Sequence, residues 1–255
     1  MRPWRPERVS LDAAGPYESL ARIAESEIVF VAKNAGSVRT GDGFLALTAD
    51  IGIGNLHTAD VLIIPGGHSR GLKAAIADQE LQTWVKEIDT RTRWTCSVCT
   101  GSLILGAAGL LSGRKASIHW RAKTILSNFG ATYSPGRITV DGKYMSSAGV
   151  SAGIDMGLAL CGEIAGRKLA EAIELSLQYD PHPRHRRSGT QRDADARQLD
   201  RTRLTPVNVP LVADAAIARI CRAARNHILI VYLNNKQVFI HVIQNRRDAY
   251  GAAST

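Results

Sequence analysis

Cysteine is scarce in this chain: four residues in 255, at positions 96, 99, 161 and 221. That is too few to staple a protein of this size, so a disulfide scaffold is excluded as the basis of the fold. Long apolar runs are missing as well. No stretch approaches the ~18 consecutive apolar residues of a membrane span. The opening Met1-Arg-Pro-Trp-Arg-Pro-Glu-Arg8 is charged and broken by proline, without the apolar core of a secretion signal. Together these absences point to the cytoplasm and to no membrane partner. The seven histidines lack metal-ligand spacing, and no segment repeats. A structural metal and a solenoid therefore drop out.

Length and a hydrophobic content of 45% fit one large α/β domain or two smaller ones. The net charge of +9 resembles a nucleic-acid signal until it is divided along the chain. Residues 1–183 hold 19 Lys/Arg against 18 Asp/Glu, and residues 184–255 hold 13 against 5. The body is nearly neutral, and the basic character belongs to the C-terminal part. Residues 184–225 contain ten arginines and no lysine. This segment could meet phosphates nonspecifically, but no helix-turn-helix or aromatic stacking pattern accompanies it. A nucleic-acid partner is thus not the favoured reading.

Elements follow from periodicity and from breakers. Val9-Ser-Leu-Asp12 reads as the end of a strand, and Pro16 suits the first turn of a helix over Tyr17 to Ala24. Strands are expected at Glu27–Ala32 and Phe44–Thr48. Asp60-Val-Leu-Ile-Ile64 is a continuous apolar strand of the kind buried on both faces of a parallel sheet. It runs into Pro65-Gly66-Gly67-His68-Ser69, where the backbone can approach a ligand. A helix over Gln79 to Thr90 leads to a second apolar strand beginning at Trp94. Strand and helix alternate as in a doubly wound sheet. Further on, the sequence predicts a helix to Phe129, a hairpin turning at Asp141-Gly142, and a helical stretch from Ser147 to about Tyr179, interrupted near Gly166. Beyond residue 225, His227–Leu233 and Gln237–Ile243 read as a hairpin about Asn234-Asn235-Lys236.

Chemistry concentrates where Trp94-Thr-Cys-Ser-Val-Cys99 meets Thr100-Gly-Ser-Leu-Ile-Leu. A strand passes directly into a helix with Cys99 at the corner, and small residues stand two before and two after it. Small-x-nucleophile-x-small is the logic of a nucleophile elbow, with sulfur in place of a hydroxyl. This arrangement predicts an exposed sulfur, with the following helix's N-terminus favouring thiolate. Asp12, Gly66-Gly67 and Cys99 all fall at the carboxyl ends of expected strands, the edge where such sheets bind ligands. His68 is placed at the mouth of that site. His119 is read as a packed or hydrogen-bonded histidine, and Cys161 as core.

Pro65-Gly66-Gly67, Ser97-Val-Cys99-Thr-Gly101, Gly106-Ala-Ala-Gly-Leu-Leu111, His119-Trp120, Ala152-Gly153-Ile154-Asp155 and Tyr179-Asp-Pro-His-Pro183 together resemble the ThiJ/PfpI superfamily, and within it the isonitrile hydratase branch. The resemblance covers about residues 6–183, a class I glutamine amidotransferase-like domain, and leaves residues 184–255 as a basic, atypical extension. It implies a flavodoxin-like sandwich and a homodimer acting on a small molecule without a cofactor. It also implies Cys99 as nucleophile, Thr100 as a hydroxyl that positions substrate or water, and Asp12 as an acidic group approaching the sulfur. Backbone N–H groups around Gly67 and Thr100 would receive developing negative charge. PfpI-type members carry His directly after the cysteine; here Thr100 stands there, which removes a Cys-His dyad at the elbow.

Other readings stay open beside this one. Cys96 and Cys99 fit C-x-x-C, a redox pair, although Cys96 lies within the strand rather than at a helix start. Cys99 could also act as an oxidation sensor, and amidase-like domains of this kind occur in AraC-type transcriptional regulators. Both ends depart from the family pattern. Pro6-Glu-Arg-Val-Ser-Leu matches only the last residues of the first strand, with Arg8 and Ser10 where apolar residues belong. A changed reading frame at one or both ends would account for this. So would a replacement strand supplied by residues 228–243.

Overall fold

The computed structural model describes residues 10–24, 26–40 and 45–181, together with the backbone of 227–234 and 237–242. In chain order the elements are α1 (Leu11–Leu20), β1 (Ser26–Ala32), β2 (Gly36–Arg39), β3 (Ala46–Ala49), β4 (Ile51–Gly52) and β5 (Val61–Ile64). Next come α2 (Ser69–Ala77), α3 (Gln79–Asp89), β6 (Trp94–Val98), α4 (Ser102–Ala107), β7 (Lys115–Ala116), α5 (Lys123–Leu126) and β8 (Thr132–Tyr133). The last are β9 (Ile138–Asp141), β10 (Tyr144–Ser147), α6 (Ala152–Ala165), α7 (Arg167–Ser176), β11 (His227–Asn234) and β12 (Gln237–Val242).

The apolar strands build the centre, as their composition requires. β6 pairs in parallel with β5 on one side and β10 on the other, and β9 closes that half as an antiparallel edge. All four residues of β5 are buried, as are the last four of β6. A second four-stranded group runs β11-β12-β1-β4, with β11 also parallel to β1 from Ser26↔His227 to Ala32↔Leu233. Helices α1, α6 and α7 pack in one group, and α2, α3 and α4 in another. This is the flavodoxin-like α/β arrangement expected of the sequence. The hairpin expected near Asn234 is formed by β11 and β12, which pair antiparallel.

Several boundaries differ from expectation, each for a local reason. The first helix starts at Leu11 rather than Tyr17, so Asp12 lies in its first turn instead of ending a strand. Ala13 and Ala14 are strong helix formers, and an acidic residue in a first turn suits the helix dipole. Pro16 therefore sits inside the helix, where it removes the bond to the Asp12 carbonyl. The helix expected to reach Phe129 is a chain of short turns around α5, closed by Gly130 in the left-handed region. The stretch from Ser147 becomes helical only at Ala152 and is split into α6 and α7 at Gly166, whose φ is +90°. Val9, read as part of the first strand, and Phe44 lie outside the described residues, as do 184–226.

Helix α1 approaches α6 unusually closely, which fixes the height of Asp12. A methyl group on Gly157 would stand 3.0 Å from the Pro16 Cα and from Ser19, and one on Gly153 would stand 3.2 Å from both Pro16 and Val98. Glycines on one face of α6 thus let α1 settle directly against it, beside the strand that delivers Cys99.

Candidate active site

Cys99 follows β6 and opens a short 3₁₀ turn through Gly101 that leads into α4. Its φ of +59° is a left-handed conformation that a side chain adopts only under constraint from its surroundings. This is the strained corner of a nucleophile elbow. Gly101 makes it feasible: a Cβ there would stand 2.0 Å from the Ile64 carbonyl oxygen, so the turn presses against the end of β5. Two serines hold the corner from below. Ser97 and Ser102 hydroxyls lie 2.8 Å apart, and Ser102 donates to the Ser117 carbonyl at 2.8 Å. Sequence reasoning took Ser97 only as a small residue and passed over Ser102. The signal available was a serine on each side of the turn, three residues before and one after Thr100-Gly101.

The predicted residues Asp12, Gly66, Gly67, Cys99 and Thr100 are brought together. The Gly66 N–H donates to Asp12 Oδ2 at 3.0 Å, and the Gly67 N–H donates to Thr100 Oγ1 at 2.9 Å. The Thr100 hydroxyl in turn lies 3.2 Å from the Gly67 carbonyl oxygen, to which it donates. Gly66 admits no side chain: its Cβ would lie 2.6 Å from the Thr100 nitrogen and 2.9 Å from Asp12 Oδ2. The Gly67 amide, expected to face substrate, is thus engaged by Thr100 in this state. His68 caps α2, its Nδ1 accepting from the Arg70 N–H at 3.2 Å. His119 similarly caps the turn at Trp120, accepting from the Arg121 N–H.

Burial dominates the electrostatics. Asp12 is 0% exposed and Cys99 4% exposed, so the sulfur is not the open group that the elbow pattern predicted. Desolvation raises the Asp12 carboxyl to about 7, opposed by the Gly66 N–H and the Cys99 thiol. Asp12 Oδ1 is buried without a hydrogen-bond partner. Burial, followed by the charge of Asp12, pushes the Cys99 thiol well above its ordinary value, with the Thr100 N–H pulling the other way. The expected thiolate is therefore not the resting form, because desolvation and a neighbouring carboxylate outweigh one short turn of backbone dipoles. The sulfur keeps its proton, beside a buried carboxyl.

The remaining cysteines play other parts. Cys96 is fully buried on β6, its thiol driven up by desolvation, and both it and Cys99 are free thiols. Cys161 is buried on α6 with its sulfur 3.5 Å from the Ser19 carbonyl oxygen. Among the described residues, no group of His, Cys, Asp and Glu could hold a metal ion, and no helix is long and apolar enough to cross a membrane. A cleft of about 380 Å³ lined by His57, Gln79, Glu80, Thr83, Trp84 and Glu87 shares no residue with the Cys99 site.

Known proteins carry the same arrangement of chain. The profile of the DJ-1/PfpI family matches residues 7–163. An isonitrile hydratase from Pseudomonas putida is 34% identical over 178 residues, covering 70% of this chain and 77% of that protein. The helix-turn-helix transcriptional regulator CdhR from Pseudomonas aeruginosa is 29% identical over 153 residues, 57% of this chain but only 42% of the regulator. Among solved structures, a ThiJ/PfpI family protein from Pseudomonas syringae superposes with a TM-score of 0.69 at 30% identity, covering 86% of each chain. DJ-1 from Schizosaccharomyces pombe superposes with a TM-score of 0.58 at 22% identity, covering 69% of this chain and 95% of that one.

Proposed function

The chain belongs to the DJ-1/PfpI family, and from that premise we propose that it is a cysteine-dependent hydratase converting an isonitrile to an N-substituted formamide. The observation that carries this reading is the buried Asp12 carboxyl, with a pKa of about 7, beside a protonated Cys99 thiol. It is joined by the 34% identity to an isonitrile hydratase. An isonitrile carbon accepts both a proton and a nucleophile, and this pair supplies both.

Ionised Asp12 takes the thiol proton as sulfur bonds to the terminal carbon of R–N≡C, and returns the proton to that carbon. The product is a thioimidate, R–N=CH–S–Cys99, formed by net addition of S–H. Water then adds to the C=N bond, its proton passing to nitrogen. The tetrahedral adduct expels sulfur, which recovers a proton, and R–NH–CHO leaves. Thr100 directs the Gly67 loop and, on turning from it, offers its hydroxyl to substrate or water. The Gly66, Gly67 and His68 segment forms the wall facing the elbow. Neither metal nor organic cofactor enters this scheme. The protein would work on a small molecule, as a homodimer in the cytoplasm, without nucleic acid.

Incubation with an alkyl isonitrile, followed by detection of the formamide, tests the reading. The second reading, a regulatory domain, is favoured by the match to CdhR. A mobility-shift assay with the intact chain distinguishes it: DNA binding without isonitrile turnover would favour the regulator.

A further inference from the structure

We propose that the gap between β1 and β5 is a strand-acceptor slot, occupied in this chain by the C-terminal hairpin of β11 and β12, both of which pair with β1, and that the seat of Asp12 depends on that occupancy. The proposal is independent of the reaction assigned to the site. Among the described residues, the pairing of strand β5 is with β6, yet all four of its residues are buried. Its other edge must be covered, and β11 and β12 both lie against it. On the far side of the slot, β11 runs parallel to β1 for seven successive residue pairs. Helix α1, which carries Asp12, also touches β12.

The sequence fits the same placement. Ile228-Leu-Ile-Val-Tyr-Leu233 is apolar or aromatic at every position, the pattern of a parallel strand covered on both faces rather than of a half-solvated one. Residues 6–10, which precede α1 directly, carry Glu7, Arg8 and Ser10 and lack that pattern. Because β11 is parallel to β1, its far end at Leu233 and Asn234 reaches the sheet edge marked by Ala32. Pro65 and Gly66 continue from β5, so a strand beside β5 steadies the segment whose Gly66 N–H holds Asp12. An empty slot would leave the facing edges of β1 and β5 uncovered inside the molecule. The site would then be completed by residues more than two hundred positions after Asp12.

Hydrogen exchange on the intact chain tests this. Amides of residues 228–233 should be protected at least ~100-fold over free peptide, in step with β5 and β6. Ile230→Pro, which removes a donor in mid-strand, should lower Tm by about 5–10 °C and release protection in β1 as well. Should that variant fail to fold, register decides the matter. Paired strands lie ~4.8 Å apart, within disulfide reach. Val29→Cys with Ile230→Cys should therefore crosslink on oxidation, whereas Val29→Cys with Leu229→Cys should not. Exchange of 228–233 at the free-peptide rate, or equal crosslinking of both pairs, overturns the proposal.

Discussion

Asp12 is held without solvent, and its charge therefore opposes folding. Its pKa is about 7 in the folded chain against an ordinary 3.8. Below pH ~4 the carboxyl is neutral in both folded and unfolded chains and costs little. Between about 4 and 7 the unfolded chain ionises it while the folded chain resists, so stability falls as pH rises. Above about 7 the full penalty is present, up to roughly 4 kcal/mol. Asp12→Asn should accordingly be more stable than the parent at pH 8, with the advantage shrinking towards pH 4, as thermal melts across that range would show. In the proposed hydration the same group sets the pH dependence of turnover. Ionised Asp12 must accept the thiol proton, so kcat/KM for an alkyl isonitrile should rise through pH ~7 and level off above it. A rate that falls over that interval would contradict the assigned role. Cys99 was legible from the elbow pattern, Asp12 from its placement at an expected strand end, and Thr100 through the family resemblance. The protonated resting form of Cys99 was not, because the burial of its sulfur is a property of the assembled core and no local spacing reports it.

At the scale of elements, the elbow and the α1–α6 contact do most of the positioning. The elbow tolerates nothing larger than hydrogen at position 101, where a Cβ would fall 2.0 Å from the Ile64 carbonyl oxygen. Gly101→Ala should cost more than ~3 kcal/mol or prevent folding, measured by denaturant unfolding. Ser102→Ala is milder. It removes the hydroxyl shared with Ser97 and the donor to the Ser117 carbonyl, so a loss of about 1–3 kcal/mol is expected in the same measurement. Strands β5 and β6 were legible because each is an apolar run with a breaker after it. The start of α1 was not, since Pro16 signals a helix beginning, and the helix formers before it together with packing against Gly153 and Gly157 place it inside one. Helix α5 was overextended in the sequence reading because no periodicity marks where one short turn replaces another.

For the molecule as a whole, a nearly neutral body carries the family fold, and a segment far along the chain pairs with β1. The hairpin at residues 227–242 was legible as two apolar runs about an Asn-Asn turn, and a replacement strand was one of two readings of the altered ends. Its parallel pairing with β1 could not be read locally, since such pairing joins residues about two hundred positions apart. The basic segment 184–226 lies outside the described residues. The central claim rests on two side chains, and one assay reaches both. Formamide production from an alkyl isonitrile should be measured for the intact protein, for Cys99→Ala and for Asp12→Asn. Turnover by the parent, none by Cys99→Ala and a loss of at least ~100-fold in Asp12→Asn is the predicted result. Turnover undiminished in Cys99→Ala, or none from the folded parent, would contradict it.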